Sequence, residues 1–447
     1  MKINKIVLTL LAAGMGAGLV PAAHAADADR IAQMEQQLKA LQQEIDAMKK
    51  GTAKDVTELR DQLAVQSKES VVGGDIPNSF RMPNSETSLR IYGYAEADLI
   101  KDFKGTPGSD RFTNLMNQPL NNSNPTQGKT ALTAETSRIG FETSTPTAVG
   151  PIHTQVEGDF YSYCTAAFNG GNCSSPNNFR LRVAYGEYAG WMIGQNWSTF
   201  MDLDDGPETV DFNGPIGMPF SRPVQIRYTY ALATGETFKA ALENPTDGAT
   251  RPNVVLFAGK TGDWGGVNAR VISHEQRGVD ATGNSISKSG TGFGLGGQYK
   301  LTSDLTLMGQ WAKVDGDNDN SLMMGANYPV ISAGSMLLDK SSGFVLGLTN
   351  VFSEKLRATF AYGRVQSQLN SSDPYAVASA AVLDSNNNPV GLGSINKTLA
   401  QWHLNFIYTP IKNVDLGAEL IGGTRTTFAG DKGDLSRMNL LARYSFN

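Results

Sequence analysis

The segment Asn439 to Asn447 (NLLARYSFN) alternates Leu440, Ala442, Tyr444 and Phe446 with Asn439, Leu441, Arg443 and Ser445. An apolar row therefore faces one side and a mostly polar row the other, the period of an extended strand between lipid and a wet lumen. The same two-residue period recurs along most of the chain. From Ser88 it predicts sixteen strands, at 88–103, 132–143, 151–163, 178–189, 190–197, 223–232, 236–242, 252–260, 265–275, 291–300, 304–314, 343–352, 355–367, 397–409, 413–424 and 436–446. Short connections such as Leu232 to Glu236, Ser353-Glu354 and Pro410 to Asn413 alternate with long ones rich in Asn, Asp, Gly and Ser at 104–131, 164–177, 198–222, 276–290, 315–342 and 368–396. An even strand count with that alternation predicts an all-β fold, a closed antiparallel transmembrane barrel over 88–447. Closure removes the unpaired edge that an open sheet of this size would expose.

A different period precedes the strands. Ile31, Met34, Leu38, Leu41, Ile45 and Met48 step by three and four among Gln, Glu, Lys and Asp, and the seam resumes at Val56, Leu59 and Leu63 after a shift near Gly51. So narrow a stripe needs a partner helix, which predicts an α-helical coiled coil over 26–70. Residues 71–87, with Gly73-Gly74, Pro77 and Pro83, show no sustained period and read as a linker. Lys2 and Lys5, the apolar run Ile6 to Val20 and the small residues Ala23 and Ala25 form a secretion signal, with cleavage expected after residue 25. No later stretch is apolar enough for a spanning helix, so strands are the available way through a bilayer.

Composition narrows the possibilities further. Loss of the first 25 residues leaves 36 basic side chains against 43 acidic ones, which excludes a nucleic-acid binder. The two cysteines, Cys164 and Cys173, sit in one long loop of an exported chain and are expected to form a disulfide rather than a metal site. His153, His274 and His403 occur outside any metal or nucleophile motif, and the alternating glycines Gly292, Gly294 and Gly296 belong to a bulge-prone strand rather than a phosphate loop. No catalytic residue, cofactor or metal is expected. The polar strand faces instead supply Arg90, Arg138, Arg180, Arg182, Arg227, Arg270, Arg357, Arg437 and Arg443, with Glu96, Asp98, Glu142, Glu157, Asp159, Asp415 and Glu419. Ser198 to Ser221 carries Asp202, Asp204, Asp205, Glu208 and Asp211 with no Lys or Arg. Folded inward, with Phe200, Phe212, Met218 and Phe220 pinning it to the wall, this loop would set acids opposite wall arginines and create a transverse field.

The blocks Arg180 to Tyr188 (RLRVAYGEY), Gly194 to Asp202 (GQNWSTFMD) and Pro207 to Phe212 (PETVDF), together with Gly74 to Phe80 (GDIPNSF) and the heptads, resemble the DcaP-like porins of Gram-negative bacteria. The resemblance covers nearly the whole chain beyond the signal. It implies a homotrimer of sixteen-stranded barrels in outer-membrane lipid, a periplasmic coiled coil, and uptake of small organic anions such as dicarboxylates. It also places Arg180 and Arg182 on the channel wall and Trp197 to Phe212 in the constriction loop. A second resemblance, to phosphate-selective porins, is weaker because the blocks above fit that family less well, and a structural envelope protein or adhesin with a plugged lumen is the alternative from another class.

Overall fold

The computed structural model of this chain describes residues 26–69, 71–105, 112–121, 128–161, 179–245, 248–280, 282–316, 322, 329–332, 334–379 and 395–446. It divides into two units, Met1–Val71 and Val72–Asn447. The described part of the first is one helix, α1, Ala26–Glu69. Gly51 does not break it: a single glycine costs about 1 kcal/mol in a helix interior and is absorbed by 44 residues of good helix formers. Met34, Leu38, Leu41, Ile45, Met48, Val56 and Leu59 are all exposed along it.

In the second unit sixteen long strands form a closed antiparallel barrel. They are β1 Ser88–Lys104, β2 Arg138–Thr145, β3 Ile152–Asp159, β4 Arg180–Tyr188, β5 Trp191–Gln195, β6 Val224–Ala231, β7 Glu236–Glu243 and β8 Asn253–Gly262. There follow β9 Gly265–Val279, β10 Ser285–Lys300, β11 Leu305–Asp315, β12 Lys340–Ser353, β13 Leu356–Ser367, β14 Asn396–Tyr408, β15 Val414–Thr427 and β16 Lys432–Phe446. Each pairs with the next, and β16 returns to β1 from Ser436↔Lys104 to Phe446↔Gly93, so no edge remains. A short strand, Thr130–Thr133, pairs with the upper half of β1 before the chain re-enters the wall as β2.

Three predictions are corrected here. The long loop expected at 276–290 is a continuing hairpin, because β9 and β10 stay paired up to Val279↔Ser285. His274 and Gly290 are opposite members of that ladder. The linker at 71–87 is partly folded: Val72–Gly73 pairs with Phe80–Arg81, which pairs with the start of β1, and Ser88 Oγ accepts the Asp75 N–H at 2.8 Å. The glycine-rich part of β10 holds unbroken register rather than a bulge. Cys164, Cys173 and the disulfide expected between them lie outside the described residues.

Alternation sorts the side chains as a membrane barrel requires. Leu404, Phe406 and Tyr408 on β14 and Leu416 and Leu420 on β15 are exposed outside, whereas His403, Asn405, Glu419 and Ile421 between them are buried inside. Outward-facing Trp191 and Tyr228 pack at 4.9 Å between ring centroids, and Trp264 and Tyr299 at 6.3 Å, all near the turn end. Such rings belong to the interfacial girdle of a membrane wall. No described helix is long and apolar enough to cross a membrane.

Candidate functional site: a constriction built by two inward loops

The loop between β5 and β6 runs inside the barrel, held by polar groups at both of its ends. At its start the Glu243 carboxylate accepts the Ser198 hydroxyl at 2.8 Å and the Thr199 N–H at 2.6 Å. Arg270 then donates to the Phe200 carbonyl at 3.2 Å, and Gln310 to the Asp202 carbonyl at 2.9 Å. Toward its end Asn405 donates to the Glu208 carbonyl at 2.8 Å. Glu419 accepts the N–H groups of Val210 and Asp211 at 3.0 and 2.8 Å, and His403 Nδ1 lies 3.2 Å from the same carboxylate. A loop with no ladder partner thus has buried backbone groups satisfied by wall side chains.

Apolar packing fixes its depth. Phe200 is fully buried with Ala241, Val255 and Ile272, and Met201 and Met218 pack on Val345 with Trp197 and Phe220. Phe212, expected to pin the loop to the wall, instead joins Phe112 and Tyr161 at 5.4 Å each. Inward-facing glycines give the loop room. A methyl at Gly363 would stand 1.9 Å from the Ile216 carbonyl oxygen, and at Gly347 2.4 Å from Pro207. Gly292 and Gly296 receive Phe200 and the Asp205 carboxylate in the same way, which is the role of the glycine pattern in β10.

A second loop enters beside it, which the sequence reading did not foresee. Phe112, Thr113 and Leu115 are buried. The Thr113 N–H and hydroxyl bond the Asp211 carboxylate at 3.0 and 2.9 Å, and Asn213 donates to the Thr113 carbonyl at 2.8 Å. Asp211, expected among the acids that stand opposite wall arginines, is also the clasp between the two loops.

Two cavities lie between these loops and the wall formed by β1–β10 and β16. One cavity of about 530 Å³ is lined by Tyr94, Glu96, Arg138, Glu157, Arg182, Tyr185, Trp197, Phe212 and Arg443. A second, of about 330 Å³ and nearer the turn end, is lined by Asp202, Asp204, Asp205, Arg227, Lys239, Lys260, Asn268 and Gln298. Asn196, Trp197 and Leu203 border both, so the two chambers adjoin.

Most wall arginines are already paired. Arg90 meets Glu142 at 2.7 Å, Arg138 meets Glu157 at 3.4 Å, Arg180 meets Asp159 at 2.7 Å, and Arg227 meets Glu187 at 3.3 Å. Arg182 bridges Glu157 and Asp159 at 2.9 and 2.8 Å, and Arg443 bonds Glu96. Two sequence candidates are not pore-lining at all: Arg270 and Arg437 are each 1% exposed behind the loops, the latter 2.7 Å from Asp102. The expected confrontation of loop acids with wall arginines occurs as direct pairs at Glu208–Arg357, 2.7 Å, and Asp211–Arg437, 3.8 Å.

Arg222, which the sequence does not single out because the acid-only segment ends at Ser221, stands apart from these paired cations. Its guanidinium lies 4.9 Å from the Trp197 ring centroid, beside Arg182 at 5.4 Å from the same ring, and it has no carboxylate partner among the described residues. Burial, with Arg182 and Arg180 nearby, pushes it down to about 9. It remains charged at neutral pH.

Asp205 on the loop is shifted the other way. Burial, reinforced by Asp202, pushes the Asp205 carboxyl up to about 6. As pH falls from 7.5 to 5 Asp205 takes up a proton, the loop loses negative charge, and anion preference is expected to rise with a midpoint near 6. Reversal potentials across that range check this; the inflection should vanish in Asp205→Asn.

A membrane-sorted wall, a lumen narrowed by inward loops and no edge strand define an outer-membrane channel of the porin type. The chain belongs to the DcaP outer membrane protein family, whose model matches residues 19–446. It is therefore a protein of the bacterial outer membrane. Among solved structures, the outer-membrane channel DcaP of Acinetobacter baumannii is 25% identical, with a TM-score of 0.69 over 80% of this chain and 97% of that one. Two more distant barrels share the fold alone. OmpT of Vibrio cholerae is 14% identical, TM-score 0.51, over 84% of this chain and 100% of that one. Salmonella typhi OmpF, in complex with daunomycin, is 15% identical, TM-score 0.50, over 81% and 99%. No curated protein matches the chain.

Proposed function

We propose that this porin is a passive, anion-preferring channel for small organic anions, dicarboxylates first among them. The observation that carries the reading is Arg222, a guanidinium with no carboxylate partner among the described residues, stacked on Trp197, which lines both chambers. A carboxylate arriving there exchanges water for forked N–H donors from a cluster that also contains Arg182 and Arg180. The paired arginines do different work. Their carboxylates on neighbouring strands brace the wall and limit how tightly an anion is held, which conduction requires, since a solute must leave as well as enter.

The same proposal covers assembly. The exposed seam of α1 supports a coiled coil among three copies, standing in the periplasm after removal of residues 1–25. The apolar outer wall supports contact with lipid and with neighbouring barrels. No enzymatic role is assigned: His274 Nε2 lies 2.8 Å from the Asp315 carbonyl and His403 beside Glu419, both as partners within the wall and loop scaffold.

Planar-bilayer recordings in a salt gradient test the sign of selectivity, and cation preference would end this reading. Arg222→Gln is expected to move the reversal potential toward zero. It should also lower succinate flux roughly three- to ten-fold, as loss of one charge-assisted contact would, with a smaller effect on a neutral sugar. Equal loss for both solutes would reduce Arg222 to a structural residue.

A further inference from the structure

The chamber nearer the turn end carries an unusual pair. Lys239 points into it with its ammonium 4.5 Å from the Phe257 ring centroid and makes no ion pair among the described residues. Asp204, on the exposed tip of the constriction loop, lines the same cavity, and its carboxylate has no partner among the described residues either. Neighbouring groups are committed elsewhere. Asp202 takes an N–H of the Asn268 amide at 2.8 Å, Lys260 pairs with Glu236 at 2.8 Å, and Arg227 pairs with Glu187 at 3.3 Å. An ammonium and a carboxylate that form no ion pair with each other thus line one cavity of about 330 Å³. Each remains available to the opposite charge of a solute between them. A purely anionic solute would satisfy Lys239 but meet repulsion from Asp204, whereas a solute carrying both signs satisfies both.

We propose that this chamber is a second solute station that favours dicarboxylates bearing an ammonium group, the chemistry of an acidic amino acid, with Lys239 receiving a carboxylate and Asp204 the ammonium. The inference rests on the anion-channel reading above and refines its substrate class. In that scheme the guanidiniums around Trp197 admit the solute by its carboxylates. The second chamber then discriminates by the amino group, a feature that the first chamber does not read.

The test compares fluxes of L-glutamate and its deaminated analogue glutarate through the full-length channel in liposomes. Both have the same carbon chain and differ by the ammonium. Wild type is expected to show a glutamate-to-glutarate flux ratio that falls about two- to five-fold in Asp204→Asn, the worth of a solvent-exposed ion pair. The exchange Asp204→Lys with Lys239→Asp should restore part of the ratio, because it keeps both charges and swaps their places. A ratio unmoved by Asp204→Asn and by Lys239→Gln overturns this inference while leaving the anion channel intact. Failure of glutarate to permeate wild type at all, or cation selectivity in the salt gradient, instead overturns the reading beneath it.

Discussion

Gly363→Leu is expected to narrow the pore and roughly halve single-channel conductance, although residue 363 lies in the wall and touches no solute. A side chain there would begin 1.9 Å from the Ile216 carbonyl oxygen, where ordinary contact begins at about 3.4 Å. The strand cannot yield, because β13 is laddered on both sides, Gly363 opposite Val345 and Gln401. The loop must yield, and its free direction is away from this wall, into the lumen. Nearby Gly217, at φ +102° and backed by the Phe344 carbonyl, leaves little slack for a local adjustment. Unchanged conductance would show that the loop does not rest on Gly363. A clear increase would show that the loop leaves the lumen rather than shifting within it.

Glu419→Ala is expected to have the opposite signature, loosening the constriction and destabilising the folded barrel by about 3–5 kcal/mol. One carboxylate accepts the N–H groups of Val210 and Asp211 and an N–H of the Asn405 amide, with His403 Nδ1 also beside it. Glu419 and His403 are both fully buried, so no water is at hand to replace the lost acceptor. The thermal transition on semi-native gels should fall, open-channel current should become noisy, and protease should gain access to the loop at 198–222. Glu419→Gln, which keeps one acceptor oxygen, should lie between. A quiet current and an unchanged transition would mean that the apolar anchors around Phe200 hold the loop by themselves.

Much of this architecture was legible before any coordinates. β13 was expected at 355–367 and runs Leu356–Ser367; β6 was expected at 223–232 and runs Val224–Ala231. Lipid outside and water inside impose a contrast between adjacent residues, so each strand announces itself within a few positions. The constriction loop was legible for a related reason, because a run of acids without cations stands out locally. Where the reading failed, the deciding contact was remote. Arg443 meets Glu96 across the closure of the barrel, and Thr113 meets Asp211 between two loops nearly a hundred residues apart. Their residue types were visible, but their distances depend on how the sheet curls. Arg222 shows the converse: its position was plain, and only the lack of an ion pair among the described residues gave it meaning.

By itself, then, the sequence determined the strands, their order, the long connections other than 276–290, and the helical seam that precedes them. These follow from periods of two or three to four residues and from turn chemistry, all local in the chain. Only the tertiary structure decided which arginines are spent on wall carboxylates, which glycines receive a loop, and where opposite charges are left facing across water. Ion pairing and packing depend on separations in space, and closing a sheet of sixteen strands sets those separations all at once.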